Sequence, residues 1–414
     1  MKIFAHQQKI LDDSPDKCGL WLGTGSGKTA LALWLAHGPT LVIAPKTQIQ
    51  DKSWEREFRK LNPPDVQLTT ISKETFRRDW EKLPRYETII IDEAHTVLGC
   101  QPATFQKHYV RYPRTSQLYT ATRSYLTRHP PLRLYLLSAT PDRSPMAIWG
   151  ARQILGFNDH FENWREEFYT QVRIGRNDIW MIKNNECAKN ALSKYIKECG
   201  YVGRLQDWFD VPEQTFKTDF VELTAEQRAL KKELKLDYPD PLRLAGKEDQ
   251  CENGILIGDE YVETRTFKNE KEAKILDYAL EFPKLLLFAR YTAQLKRYEQ
   301  TLKEQGYKVL TLTGETKDKG QVIKEANESK ACIVLAQSQI SAGYELPDYP
   351  CTIFASLSGS LVDLIQAQGR TLRVNNLQKR LYIYLVARGG RDEKRYNANV
   401  ILKQDYHEAI YDQV

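Results

Sequence analysis

Nowhere in this 414-residue sequence does an apolar run approach the ~20 residues that cross a bilayer. The opening residues MKIFAHQQKILDDSP are too polar for a secretory leader, so a cytoplasmic protein is expected. Cysteine is sparse and scattered. None of Cys18, Cys100, Cys187, Cys199, Cys251, Cys332 and Cys351 forms a C-x-x-C pair, which argues against a zinc site or redox motif and for a reducing compartment. Solenoid-period repeats and low-complexity segments are missing, which excludes a quasi-one-dimensional array. Acid is missing from one long stretch: there is no Asp or Glu from Ala94 to Pro141.

The rest of the composition is that of an ordinary soluble protein, with 41% apolar and 28% charged residues. The length exceeds what one core usually serves, so two or three domains are expected. A net charge of +6 permits a nucleic-acid partner without requiring one.

The stretch CGLWLGTGSGKTALALWLAHGPTLVIAP, Cys18 to Pro45, orders a short apolar strand, a glycine loop, a helix and a second buried strand. That order builds a parallel α/β sheet. Gly25 and Gly27 let the loop around Ser26 turn its N–H groups toward phosphates. Lys28 can reach the β- and γ-phosphates, and the Thr29 hydroxyl can ligate Mg²⁺. The strict phosphate-loop pattern fails only at Leu22, where its first glycine belongs.

Further along, TIIIDEAH (Thr88 to His95) is a β-branched buried run ending in acids. Asp92 can hold Mg²⁺ through water, and Glu93 can orient and deprotonate an attacking water. LYLLSATP brings Ser138 and Thr140 after another strand. A second α/β rhythm starts near Glu270, without a Gly-Lys-Thr loop of its own. It closes in LIQAQGRTLRV, where Gln366, Arg370 and Arg373 would share one face of a helix.

Taken in order, these residues resemble a superfamily 2 helicase, from Gln7 to Arg373. Such helicases place an adenine-reading glutamine where Gln7 stands, and often lack the first loop glycine. Gln366, Gly369, Arg370 and Arg373 match the superfamily's Q-x-x-G-R-x-x-R signature. Within the superfamily the sequence looks most like Swi/Snf-related translocases in the short form of phages and mobile elements. Pro45-Lys46 with Trp54 and Phe58, MAIWGARQILGF, FDVPEQTFKTDFVELTAEQ, LLLFARYTAQL and GGRDEKR carry that likeness. Gly343-Tyr344-Glu345 stands where the family shows glycine, an apolar residue, then Asn or Asp.

The resemblance implies an α/β fold of two RecA-like parallel-sheet domains in tandem with a partly helical linking region. The expected spans are 1–155, 156–265 and 266–414. It implies an ATP cleft using Mg²⁺ and movement along DNA in replication, recombination or repair. Gln7, Gln366 and Gly343 join the ATP-binding set, and Arg370 and Arg373 act as arginine fingers. Ser138 and Thr140 couple hydrolysis to the nucleic acid, and Lys46 contacts it. The open alternatives are a motor on RNA, a remodelling translocase that does not unwind, and a nucleotide-gated scaffold.

Two expectations rest on composition alone. The acid-free stretch carries Lys107, Arg111, Arg114, Arg123, Arg128 and Arg133, with Tyr109, Tyr112, Tyr119 and Tyr125 interleaved. Arginine with aromatics suits phosphate contact and base stacking, which makes Arg111, Arg114, Arg123 and Arg128 DNA-binding candidates. The stretch DYPDPLRLAGKEDQCENG reads as turn-rich, a flexible crossing.

Overall fold

The computed structural model describes the chain apart from residues 1–2, 108–109, 142–143, 175–176, 259–262, 339–344, 358–360, 373–377 and 402–414. Strands β1 (Lys17–Leu22), β2 (Gly38–Ala44), β3 (Val66–Ser72) and β4 (Thr88–Ile91) come first. A hairpin of β5 (Cys100–Lys107) and β6 (Val110–Thr115) follows, then β7 (Arg133–Leu137). A second hairpin, β8 (Tyr169–Ile174) with β9 (Asn177–Ile182), precedes β10 (Gly200–Gly203). Six of these strands make one sheet in the order β10-β1-β7-β4-β2-β3, parallel throughout.

Burial on both faces explains why these strands read as unbroken apolar runs. Successive side chains serve opposite faces. Ile89 and Ile91 pack with Trp21, Leu41 and Leu136 against one helical layer, while Ile90 packs with Leu20, Val42 and Tyr135 against the other.

The chain divides between Phe209 and Asp210. The second unit holds β11 (Gln214–Val221), the small pair β12 (Ile255–Leu256) and β13 (Arg265–Thr266), and β14 (Lys284–Ala289). It continues with β15 (Val309–Leu312), β16 (Cys332–Gln337), β17 (Cys351–Phe354) and β18 (Arg380–Ala387). Its sheet, β11-β18-β17-β14-β16-β15, is again all parallel, and apolar clusters cover both faces. Two RecA-like parallel-sheet units in tandem are thus present.

The stretch 156–265 forms no unit of its own. Phe161, Trp164, Phe168, Leu192 and Ile196 belong to the first unit's core, and β10 extends its sheet. β11 pairs with β18 along its length in the second unit. The sequence hides β10 because it is short and glycine-flanked. Gly200 is required there: a Cβ would sit 2.2 Å from the Gly19 carbonyl oxygen of the neighbouring strand.

The expected flexible crossing is instead a helix, Pro241–Glu252. Pro241 sits in its first turn, where a missing N–H costs nothing, and Asp240 accepts from the Arg243 amide. Its acids point inward rather than to solvent. Asp249 bonds Arg290, Tyr291 and Arg395, Glu252 meets Lys231, and Glu248 meets Arg391.

Beside it, fully buried Lys271 donates to Asp392 at 2.6 Å, Asn253 at 2.8 Å and the Ala355 carbonyl at 2.7 Å. Removing one member of such a pair strands the other charge. Asp392→Ala should therefore destabilise the second unit by about 3–5 kcal/mol. Denaturant unfolding reads the loss, and the double variant Lys271→Met/Asp392→Leu should recover much of it.

Candidate functional site

In the first unit, the parallel order places the C-terminal ends of β1, β7, β4 and β2 side by side. The phosphate loop, Ser-Ala-Thr, Asp92-Glu93 and Pro45-Lys46 follow those four strands.

Leu22 does not break the loop. It ends β1 with its side chain in the core, 1% exposed, and Gly23 takes over the turn, its amide bonding the Gly203 carbonyl at 2.8 Å. Gly25 and Gly27 adopt φ of 84° and 79°, left-handed values that favour glycine. Lys28 and Thr29 open the helix Lys28–Leu35, whose N-terminus carries partial positive charge toward the loop. The Lys28 ammonium donates to the carbonyls of Leu22 at 2.6 Å and Gly23 at 3.0 Å. The loop's own backbone thus accepts from the cation that a phosphate would attract.

Gln7 lies against this loop, buried, accepting from the Phe4 amide and donating to the Ser26 carbonyl at 3.1 Å. His6 approaches the same carbonyl at 3.2 Å, and its ring stacks on Trp208 at 4.0 Å. Burial holds the His6 imidazole below its ordinary pKa, against the raising effect of the Ser26 bond. Trp208, half-buried against the first unit's core, closes this side of the loop.

Asp92 is buried, and burial together with neighbouring Glu93 pushes its carboxyl above the usual range. One oxygen accepts from the Glu93 amide at 2.8 Å, the other from the Trp54 indole at 3.3 Å. A buried carboxyl whose charged form burial disfavours is one that a divalent cation would stabilise. Thr29 and Asp92 would hold it, with the loop taking the phosphates.

Glu93 itself sits at φ 44°, a left-handed conformation uncommon outside glycine. Its carboxylate is 3.3 Å from the His95 ring. His95 in turn meets Ser138 at 3.1 Å, and Ser138 accepts from the Thr140 amide at 3.1 Å. The acid turn and Ser-Ala-Thr are therefore in direct contact through buried His95 and Ser138.

Sequence reasoning passed over Lys73. Buried at the start of the helix Lys73–Asp79, it donates to the Glu93 carbonyl at 2.8 Å and to the Thr96 hydroxyl at 2.5 Å. Burial lowers its ammonium to about 8, opposed by Asp92 and Glu93. Lysine is so common on surfaces that the sequence offered no signal for it.

In the second unit, the helix expected to align Gln366, Arg370 and Arg373 runs only from Leu361 to Gln368. Gly369, Arg370 and Thr371 leave it in tight turns, each amide bonding back three or four residues. Arg370 is nearly buried and donates to the Gln366 carbonyl at 3.1 Å. Arg373 and Gly343 lie outside the described residues.

The acid-free stretch forms the β5–β6 hairpin, the helix Gln117–Arg128 and β7. Arg114, Arg123 and Lys46 are exposed. Arg128 is exposed with its guanidinium 4.9 Å over the Trp80 ring. The Arg111 side chain and all of Tyr109 lie outside what is described. The interleaved tyrosines do not form a stacking row. Tyr119 and Tyr125 are core residues, since the helix turns them inward, and Tyr112 alone of the described three is exposed. Arg133 is structural, donating to the Leu35 carbonyl at 2.7 Å.

Residues 270–375 match the helicase conserved C-terminal domain. An ATP-dependent RNA helicase of Candida glabrata is 28% identical over 112 residues, 25% of this chain. The match takes in only 21% of that relative's length. Among solved structures, the Hef helicase domain of Pyrococcus furiosus aligns over 96% of this chain and 98% of its own, with a TM-score of 0.54. At 16% identity that likeness is one of fold. The chain thus resembles a helicase C-terminal domain over residues 270–375 and shares the fold of a helicase domain across its length.

Proposed function

We propose that the chain is an ATP-dependent motor of superfamily 2 that moves on DNA, in the manner of the Swi/Snf-related translocases. The observation that carries this reading is the assembly at one sheet edge of a glycine phosphate loop, a buried Asp-Glu turn and Ser138, in a chain whose residues 270–375 match a helicase domain.

Each residue has a role. The loop amides and Lys28 hold the β- and γ-phosphates of ATP. Thr29 and Asp92 would hold Mg²⁺, which when bound would supply charge neutralisation at the phosphates. Glu93 orients water and takes its proton. Gln7 fixes the loop and reads the base, with Gln366 and Gly343 completing the nucleotide set. Arg370 and Arg373 stabilise transition-state charge. The chain from Glu93 through His95 to Ser138 and Thr140 offers a route by which the state of the γ-phosphate reaches the nucleic acid.

The sign of the acid-free stretch and its exposed arginines support phosphate-backbone contact there. DNA as the polymer rests on the Swi/Snf-like motifs. RNA is the second reading, favoured by the RNA helicase among the relatives.

Steady-state ATP hydrolysis measured with no nucleic acid, single-stranded, duplex and forked DNA, and RNA decides between them. DNA should stimulate turnover most, and Lys28→Ala or Glu93→Gln should abolish it without unfolding the chain. Stimulation by RNA alone would move the reading to an RNA motor. Turnover retained in either variant would remove the site assignment. Replacing Arg111 and Arg114 by alanine should flatten the salt dependence of DNA binding, by up to about one log–log unit for each phosphate no longer neutralised. An unchanged slope would place the DNA-binding surface elsewhere.

A further inference from the structure

Glu93 holds a backbone conformation that a non-glycine residue adopts only when its surroundings enforce it, with φ 44° and ψ 52°. The turn it heads is a short 3₁₀ segment, Ala94–Thr96. Its amide is tied to Asp92 at 2.8 Å, and its carbonyl accepts from the Thr96 hydroxyl at 2.9 Å. Neither tie comes from outside the turn.

The outside tie is Lys73. Its ammonium crosses from the segment after the edge strand β3 to reach the Glu93 carbonyl at 2.8 Å and the Thr96 hydroxyl at 2.5 Å. The side chain is buried, so these bonds form with little competition from water. Ser72 anchors the start of the lysine's helix by accepting from the Thr75 amide at 3.1 Å, which fixes where the lysine begins. A buried ammonium is costly and is held here by oxygens of the acid turn. It touches the backbone of Glu93 rather than its carboxylate, which keeps its own contact with the His95 ring. The Trp54 indole makes a parallel contact to Asp92 from the preceding connection, between β2 and β3.

We propose that Lys73 is a positioning residue for ATP hydrolysis: it clamps the left-handed turn that aims the Glu93 carboxylate, and so acts on the chemical step and not on nucleotide affinity. This rests on the motor reading above.

The test uses the full chain with saturating stimulating nucleic acid at neutral pH, and a fluorescent ATP analogue for affinity. Lys73→Met should lower kcat at least tenfold while the KM for ATP and the Kd of the analogue stay within about twofold. Lys28→Ala, by contrast, should lose analogue binding. Thr96→Val, which removes one of the two acceptors and keeps the charge, should lower kcat by about threefold. It serves as the reporter if circular dichroism shows that Lys73→Met does not fold. Wild-type kcat in a folded Lys73→Met, or in Thr96→Val where Lys73→Met does not fold, overturns the proposal and leaves the motor reading standing. An equal loss of kcat and affinity also overturns it. A wild-type chain that hydrolyses no ATP under any condition removes both readings together.

Discussion

The parallel pairing of β1, β7, β4 and β2 is the constraint on which the site depends. Parallel strands send all their C-terminal ends to one edge, and the crossover helices return the chain to the other. Four segments far apart in sequence thereby become neighbours: the phosphate loop, the Ser-Ala-Thr turn, the acid turn and Pro45-Lys46. No side-chain contact has to bring them together. Side chains then fix the details, as with Gln7 on the Ser26 carbonyl, Ser138 on His95, and Lys73 on Glu93.

Both units bury charge, and in different ways. In the first unit buried Asp92 sits with its carboxyl raised above its usual range beside a lysine lowered from its own, while buried Arg152 pairs with Asp159 and Glu198 elsewhere. Each departs in the direction that burial imposes on its charged form. In the second unit the largest buried network is paired, Lys271 with Asp392 and Asp249 with Arg290 and Arg395, while buried Arg380 donates to the Thr371 and Pro347 carbonyls. Perturbed, incompletely compensated groups suit a site that receives charged ligands. Paired groups hold helices in place: the second network ties Pro241–Glu252 to the start of the helix Glu270–Glu281 and to Arg391–Tyr396.

The strands of both sheets were legible because burial on two faces leaves an unbroken apolar run, as in TIII and KLLLFA. The loop and acid turn were legible because each follows a short apolar strand with a distinctive run, Gly-Ser-Gly-Lys-Thr after β1 and Asp-Glu after β4. Three kinds of feature escaped. β10 is four residues long and glycine-flanked, so it carries no periodic signal. The helix Pro241–Glu252 buries acids, which inverts the polarity on which pattern reading relies. Lys73 and Trp208 act through partners distant in sequence, Glu93 and His6, and only the fold brings those pairs together. Tyr119 and Tyr125 show the opposite error. Composition made them a stacking surface, and helix phase made them core.

The proposed motor requires one nucleotide site, at the loop following β1. Titration calorimetry of the full chain with ATP, in the presence and absence of Mg²⁺, tests it most directly. A single site per chain is expected, strengthened by Mg²⁺ and lost in Lys28→Ala. Binding unchanged in Lys28→Ala, or no binding at all by the wild-type chain, would contradict it.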